Sequence, residues 1–260
     1  MWLGLLGPLF VRTGHMSLGV PAARQRSLLA ALAVRAGDVV QAGELAEAVW
    51  DGVPPVSWQV TLRNYVRRLR VVLGGLGDRI VTRSPGYLLQ AADDEVDILS
   101  FEVLCRLGRA AARAGDWEAA SAALSSAEAL WRGTPFADIP SSRVRDAQLP
   151  YLEEMRLAAV EIRIDAELRL SPSRGTDVIP ELHRLSMQHP ERERFRAQLM
   201  LALYQAGRQA HALTVYQTAR RYSVSELGIE PGPGLREMHQ RILLADPALL
   251  PERSLPAQAA

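Results

Sequence analysis

The chain has 260 residues, an apolar content of 48%, one cysteine and a formal net charge of +1. Such a composition fits a globular protein of one large or two ordinary domains and excludes an internal disulfide framework, a disordered polyelectrolyte and a membrane-spanning bundle. The near-neutral total hides an asymmetry, because residues 1–91 hold ten arginines against five acids and the remainder holds twenty against twenty-four. 

The opening stretch MWLGLLGPLFV lacks the charged start of a secretory signal and carries Gly and Pro. It reads as short strands, with a turn at Thr13-Gly14 and MSLGV after it. With a lone Cys105 and no apolar run near the ~18 residues of a membrane span, the expectation is a cytoplasmic protein without a membrane partner. AARQRSLLAALAVRAG predicts a first helix, with Leu28, Leu29, Leu32 and Ala36 at helical spacing and Gly37 as the stop. DVVQ reads as an extended link. AGELAEAVW predicts a second, short helix that DGVPP cannot continue. Ser57 is the expected N-cap of a third helix running to Gly74-Gly75, and DRIVTRSPGYLLQ reads as two strands joined at Ser84-Pro85-Gly86. Strands, three helices and a terminal hairpin in under 100 residues is the order of a winged helix-turn-helix.

The acidic AADDEVD reads as a linker or helix lead-in. Beyond it, alanine-rich amphipathic segments predict helices over about 98–114, 117–131, 142–170, 177–188, 191–206, 208–226 and 233–245. ARAGDWEAASAAL and YQAGRQAHALTVY share a helix, a Gly turn and a second helix, with Ala120 and Ala212 in matching places. Paired helices that meet at a small residue are the tetratricopeptide device, here without a regular spacing. The fold class expected is mainly α with small β: a winged helix over 1–91, an all-α tetratricopeptide-like domain over 92–250, and a disordered tail over 251–260.

The third helix, TLRNYVRRLRVVL, carries the chemistry. Leu62, Val66, Leu69 and Leu73 form its apolar stripe. Arg63, Arg67 and Arg70 recur on another face, flanked by Asn64 and Arg68, and no acid occurs between Asp51 and Asp78. Like charges at that spacing repel by a few tenths of a kcal/mol per pair, so a purely structural helix would intersperse carboxylates. Arginine can fork onto guanine edges or clamp phosphates, and Thr61, Asn64 and Tyr65 can reach bases or backbone. Arg83, at the tip of the hairpin, suits the electronegative minor groove. The alternative for each is a solvated surface residue. Arg24 and Arg26, at the start of the first helix, fit phosphate contact and bland exposure equally. The segment Asp51, Gly52, Val53, Pro54, Pro55, Val56 and Ser57 is longer than a simple turn and stiffened by two prolines, either a preformed protein-facing surface or a spacer.

Enzymatic readings find no support, since no phosphate loop, HExxH, GxSxG or cysteine cluster occurs. No catalytic residue, metal or cofactor is expected. His183 and His189 are six apart and read as surface residues, and Trp117, Trp131 and Phe136 as fillers of helix contacts.

LGPL, RxLLAAL, ELAEAVW, TLRNYVRRLR and TRSPGYLL resemble the OmpR-type winged helix. VDxxxFE at 96–102, GDWEAA, ALWRGTPFADIP, the run from ELHRL to LTVY and SELGIEPGPGL resemble the bacterial transcriptional activator domain. Together they resemble the Streptomyces antibiotic regulatory proteins over nearly the whole chain. The resemblance implies a transcriptional activator that binds direct repeats in double-stranded promoter DNA as a dimer or side-by-side pair and recruits RNA polymerase. It places Arg63, Arg67, Arg68 and Arg70 at the basic positions of the recognition helix and Arg83 at the wing. It also implies that 51–57 faces polymerase, chiefly its sigma subunit. With no receiver module before the winged helix and no ATPase after, the small form of the family is expected, without aspartate phosphorylation. Two stretches depart from the usual pattern: ELRLSPSRGTDVIPEL, and TARRYSVSELG with Tyr222-Ser223. The competing reading is a helical-repeat adaptor or ligand sensor that does not bind DNA.

Overall fold

The computed structural model describes residues 2–170 and 176–250. The expected tail at 251–260 and the centre of the first departing stretch, 171–175, lie outside them. The chain divides into two compact units, residues 1–107 with 123–157, and residues 108–122 with 158–260. 

The first unit begins with an antiparallel sheet of β1 (Trp2–Gly4), β2 (Phe10–Thr13) and β3 (Met16–Leu18), with Val11 opposite both Leu3 and Leu18. Helices α1 (Ala23–Ala33), α2 (Ala42–Trp50) and α3 (Trp58–Leu73) follow, then the hairpin of β5 (Ile80–Arg83) and β6 (Gly86–Leu89). The stretch read as an extended link is a strand, β4 (Val39–Gln41), which pairs antiparallel with β6 and completes a sheet in the order β4-β6-β5. Its three residues gain their partner from a strand more than forty residues later, so no local signal marks them. Gly86 permits the pairing, because a Cβ there would overlap the carbonyl of Val40.

The apolar stripes meet as the periodicity predicts. Leu28, Leu29 and Leu32 of α1, Leu45 and Val49 of α2, and Leu62, Val66, Leu69 and Leu73 of α3 are all buried, closed below by Val40, Ile80 and Leu89. Each large side chain so removed from water contributes about 1.5–3 kcal/mol. Ser57 does precede α3, but its side chain makes no cap bond; its carbonyl accepts from the backbone N–H and the hydroxyl of Thr61.

Helix α4 (Asp97–Ala114) opens with the aspartate of VDxxxFE. Asp97 is fully buried, and its carboxylate accepts the N–H of Leu5 at 2.7 Å and of Leu6 at 2.9 Å, with the Arg132 guanidinium at 3.2 Å. Arg132 and Phe136, in the loop after α5 (Trp117–Ala129), also donate backbone N–H groups to the carbonyls of Leu6 and Leu5. The Arg132 guanidinium lies 4.9 Å from the Phe10 ring and donates to the Pro8 carbonyl. A Cβ on Gly4 would strike it, so LGLLGP must be lean there. LGPL, VDxxxFE and ALWRGTPFADIP, far apart in sequence, therefore form one joint. The acidic stretch before it is not a loose linker: Asp93–Glu95 is a 3-10 turn, and Glu95 bonds Arg79 and the Ala92 N–H.

Helix α6 (Ser142–Leu170) begins in the first unit and ends in the second. The second unit continues with α7 (Ile179–Gln188), α8 (Glu193–Gln205), α9 (Gln209–Leu227) and α10 (Pro233–Leu243). Ala120 and Ala212, matched by sequence, are both fully buried, each shortly after a Gly turn in the left-handed region, Gly115 and Gly207. Ion pairs bind α6 to its neighbours: Arg192 to Glu161, Arg194 to Asp165, and Arg163 to Glu181.

Replacing Asp97 with Ala strands two buried N–H groups and is expected to cost about 3–5 kcal/mol of stability, read by urea denaturation. The Ala92 N–H first, then Arg79, hold the Glu95 carboxyl at about 2 against its ordinary 4.5. A carboxyl depressed on folding favours the folded state while ionised. Its contribution is complete above pH 4.5 and lost as pH falls to about 2, so Glu95→Gln should flatten the acid-unfolding profile across that window.

Candidate DNA-binding surface

Helix α3 presents three faces. The stripe of Leu62, Val66, Leu69 and Leu73 lies against α1, α2 and the hairpin. Opposite it, Arg63, Asn64, Arg67 and Arg68 are exposed, together with Val60 and Val71. This division follows from the 100° step of the helix: 63 and 67, and 64 and 68, stack one turn apart on the side away from the core. 

The flanks hold the remaining candidates, and these are engaged within the fold. Arg70 donates to the Ile80 carbonyl through Nε at 2.9 Å and Nη2 at 2.6 Å, and Nη2 also reaches Thr82 Oγ1 at 3.0 Å. It bolts the helix to strand β5 of the wing. Tyr65 stacks on Trp50 of α2, with centroids 5.6 Å apart and planes at 24°. The Thr61 hydroxyl donates to the Ser57 carbonyl. Arg63 is exposed, with its Nε on the Gln59 carbonyl one turn back.

Arg83 ends β5, exposed, paired across the hairpin with Gly86. Other arginines of the basic half have carboxylate or aromatic partners: Arg26 with Asp138, Arg35 with Glu44, Arg79 with Glu95, Arg12 over Trp2 and Arg24 over Trp50. Arg26 also donates to the carbonyls of Asp138 and Pro21, so its guanidinium is engaged within the fold. Among the described residues, no carboxylate forms an ion pair with Arg63, Arg67, Arg68 or Arg83. Unneutralised guanidinium groups thus gather on the outer face of α3 and at the hairpin tip. Such a surface can neutralise phosphates and fork onto base edges.

The loop 51–57 starts from a fixed point. Asp51 ends α2 in the left-handed region at φ 58°, and its carboxylate accepts from the Ser142 hydroxyl at 2.9 Å and the Arg143 N–H at 2.8 Å. These bonds, the Arg143 N–H foremost, hold its carboxyl below the ordinary carboxylate value. Glu47 pairs with Arg143 beside it. From this anchor Val53 and Val56 project into solvent, at 80% and 105% exposure, around Pro54 and Pro55. Sequence reasoning missed the Asp51 bonds, the Tyr65–Trp50 stack and the Asp97 joint. For Asp97 a signal existed: a carboxylate between Val96 and Ile98 is a poor linker residue.

A winged helix with an arginine-faced third helix, tied to a helical domain, defines a bacterial transcriptional regulator. Comparison with known proteins agrees: residues 21–89 match the family described as transcriptional regulatory protein, C terminal, and residues 96–243 match the bacterial transcriptional activator domain. The regulatory protein DnrI of Streptomyces peucetius is 34% identical, over 96% of this chain and 94% of its own. The regulatory protein AfsR of Streptomyces coelicolor is 40% identical over 95% of this chain, which spans 24% of that relative's length. A structure of Mycobacterium tuberculosis EmbR in complex with a low affinity phosphopeptide superimposes with a TM-score of 0.88 at 33% identity, covering 95% of this chain and 65% of that one. The chain belongs to the Streptomyces antibiotic regulatory protein family, a family of transcriptional regulators.

Arg70→Ala removes a charged donor from the Ile80 carbonyl and should lower stability by about 1–3 kcal/mol. Arg67→Ala, with no partner to lose, should change it by less than about 0.5 kcal/mol; thermal melts of the two variants check the contrast.

Proposed function

We propose that the chain is a sequence-specific, DNA-binding transcriptional activator of a secondary-metabolite gene cluster. In this reading α3 lies in the major groove of promoter DNA and the wing tip enters the adjacent minor groove. The observation that carries it is the exposed set Arg63, Arg67, Arg68 and Arg83, free of acidic partners while other arginines of the same half are engaged. Asn64 shares that face and suits a bidentate contact with adenine. Thr61, Tyr65 and Arg70 take a supporting part, holding α3 to α2 and the wing and so setting the angle at which the helix enters.

Paired binding to direct repeats would double the number of phosphate contacts. The loop 51–57, anchored at Asp51 and bearing exposed Val53 and Val56, fits contact with RNA polymerase through its sigma subunit. A pinned, proline-stiffened segment loses little entropy when it docks.

Arg67→Ala or Arg68→Ala should each weaken promoter binding by about 1–3 kcal/mol where the residue reads a base, and change the salt slope by about 0.9 where it holds a phosphate. Gel-shift titrations at several salt concentrations measure both. If the two variants bind like the parent protein in affinity and slope, α3 is not the reading element.

A further inference from the structure

Three arginines alternate at the start of α8, one at its N-cap and two in its first turn, and they meet different fates. Arg192 bonds Glu161 and Arg194 bonds Asp165. Arg196 is the most buried of the three, at 7% exposure, yet it has no ion pair among the described residues and its Nη1 has no hydrogen-bond partner there. Its guanidinium lies 4.9 Å from the ring of Tyr222, one of the positions where the sequence departs from the family pattern. The nearest acid on its own helix, Glu193, is turned away, both carboxylate oxygens accepting the Gly232 N–H. Burial pulls the Arg196 pKa down, with Tyr222, Glu193 and Glu191 opposing weakly.

Arg196 lines a cleft of about 440 Å³ among α7, α8 and α9. Leu199, Leu203, Val215 and Met187 give it apolar walls, while Arg208 and His211 also border it; among the described residues no aspartate or glutamate contributes. The hydroxyl oxygen of Ser186, another lining residue, is also buried without a hydrogen-bond partner among the described residues. A cation withdrawn from water without a counter-charge is costly, and one ring face offsets only part of that cost. The volume is that of a small-molecule site, and a guanidinium is the side chain best matched to a carboxylate.

We propose that this cleft binds a small amphipathic carboxylate, its head group held by Arg196 and its apolar body against Leu199, Leu203 and Val215. The site stands apart from the arginines of α3 and does not depend on the reading given to them.

The test is calorimetric titration of the full chain with decanoate, and with decanol and decylamine as neutral and cationic matches. Decanoate should bind saturably at one site, about 10–100-fold more tightly than either match, the range for a charge-assisted hydrogen bond. Arg196→Met should erase that preference while leaving the ligand-free melting temperature unchanged or higher, because it removes an uncompensated cation of similar shape. Val215→Trp, which keeps Arg196 and fills the apolar wall, should abolish decanoate binding. Equal affinity for decanoate and decanol, a preference that survives Arg196→Met, or binding undisturbed by Val215→Trp would each overturn the proposal. So would a lowered melting temperature of Arg196→Met with decanoate heat absent from the parent protein, since Arg196 would then serve packing alone.

Discussion

A single buried carboxylate joins the basic half of the chain to the start of its helical half. Asp97 is wholly withdrawn from water, which raises its pKa, and the N–H groups of Leu6 and Leu5 together with Arg132 offset that rise only in part. Without those donors a charge in that position would be untenable; with them it becomes a fixed acceptor around which other parts are arranged. The turn after β1, the first turn of α4 and the loop of Arg132 and Phe136 each supply one side of the joint. The winged helix is consequently no bead on a string. The connection from β6 to α4 is held at Glu95 and again at Asp97, and α3 belongs to the same compact unit as the beginnings of α4 and α6.

Within that frame the arginines of α3 divide their labour by helical angle alone. Arg67 and Arg70 are one turn apart and chemically identical, yet one stands in solvent and the other crosses to the wing. The difference lies in where β5 passes: its carbonyl at Ile80 faces the flank that carries position 70 and not the outer face that carries position 67. Fixing the wing to the helix sets the spacing of the two elements in advance, which suits the paired groove contact proposed for them. The mutual repulsion of the exposed cations is small beside the burial of four apolar side chains on the opposite face, so the helix tolerates it.

The elements that depend on local chemistry were legible in the sequence. The stripe at 62, 66, 69 and 73 announces its helix and its buried face, and SPGY between two short apolar runs announces the wing. Ala120 and Ala212 could be matched because close helix packing demands a small residue wherever it recurs. What depends on distant partners was not legible. β4 is a strand only because β6 lies beside it, and Asp97 looks like one more acid in AADDEVD until the backbone of Leu5 and Leu6 is placed over it. Among the candidate contacts, residue type singled out α3 but could not separate exposed Arg67 and Arg68 from Arg70, whose partner lies ten residues on in another element.

Asp51 extends the same logic to the loop. One residue closes α2, its backbone N–H donating to the Glu47 carbonyl, and caps α6, its carboxylate accepting the Arg143 N–H at a helix start where the partial positive charge favours it. An aspartate tolerates the left-handed backbone that ends α2, and a short carboxylate is what the first turn of α6 requires; few residues meet both conditions. The loop therefore leaves from a point fixed to both α2 and the first turn of α6. Its exposed valines sit between that anchor and the start of α3. Apolar tips on a stiffened, anchored segment are held ready for the protein contact proposed for this loop, with little entropy left to lose on docking. The Asp51 cap thereby fixes where those valines stand relative to the start of α3.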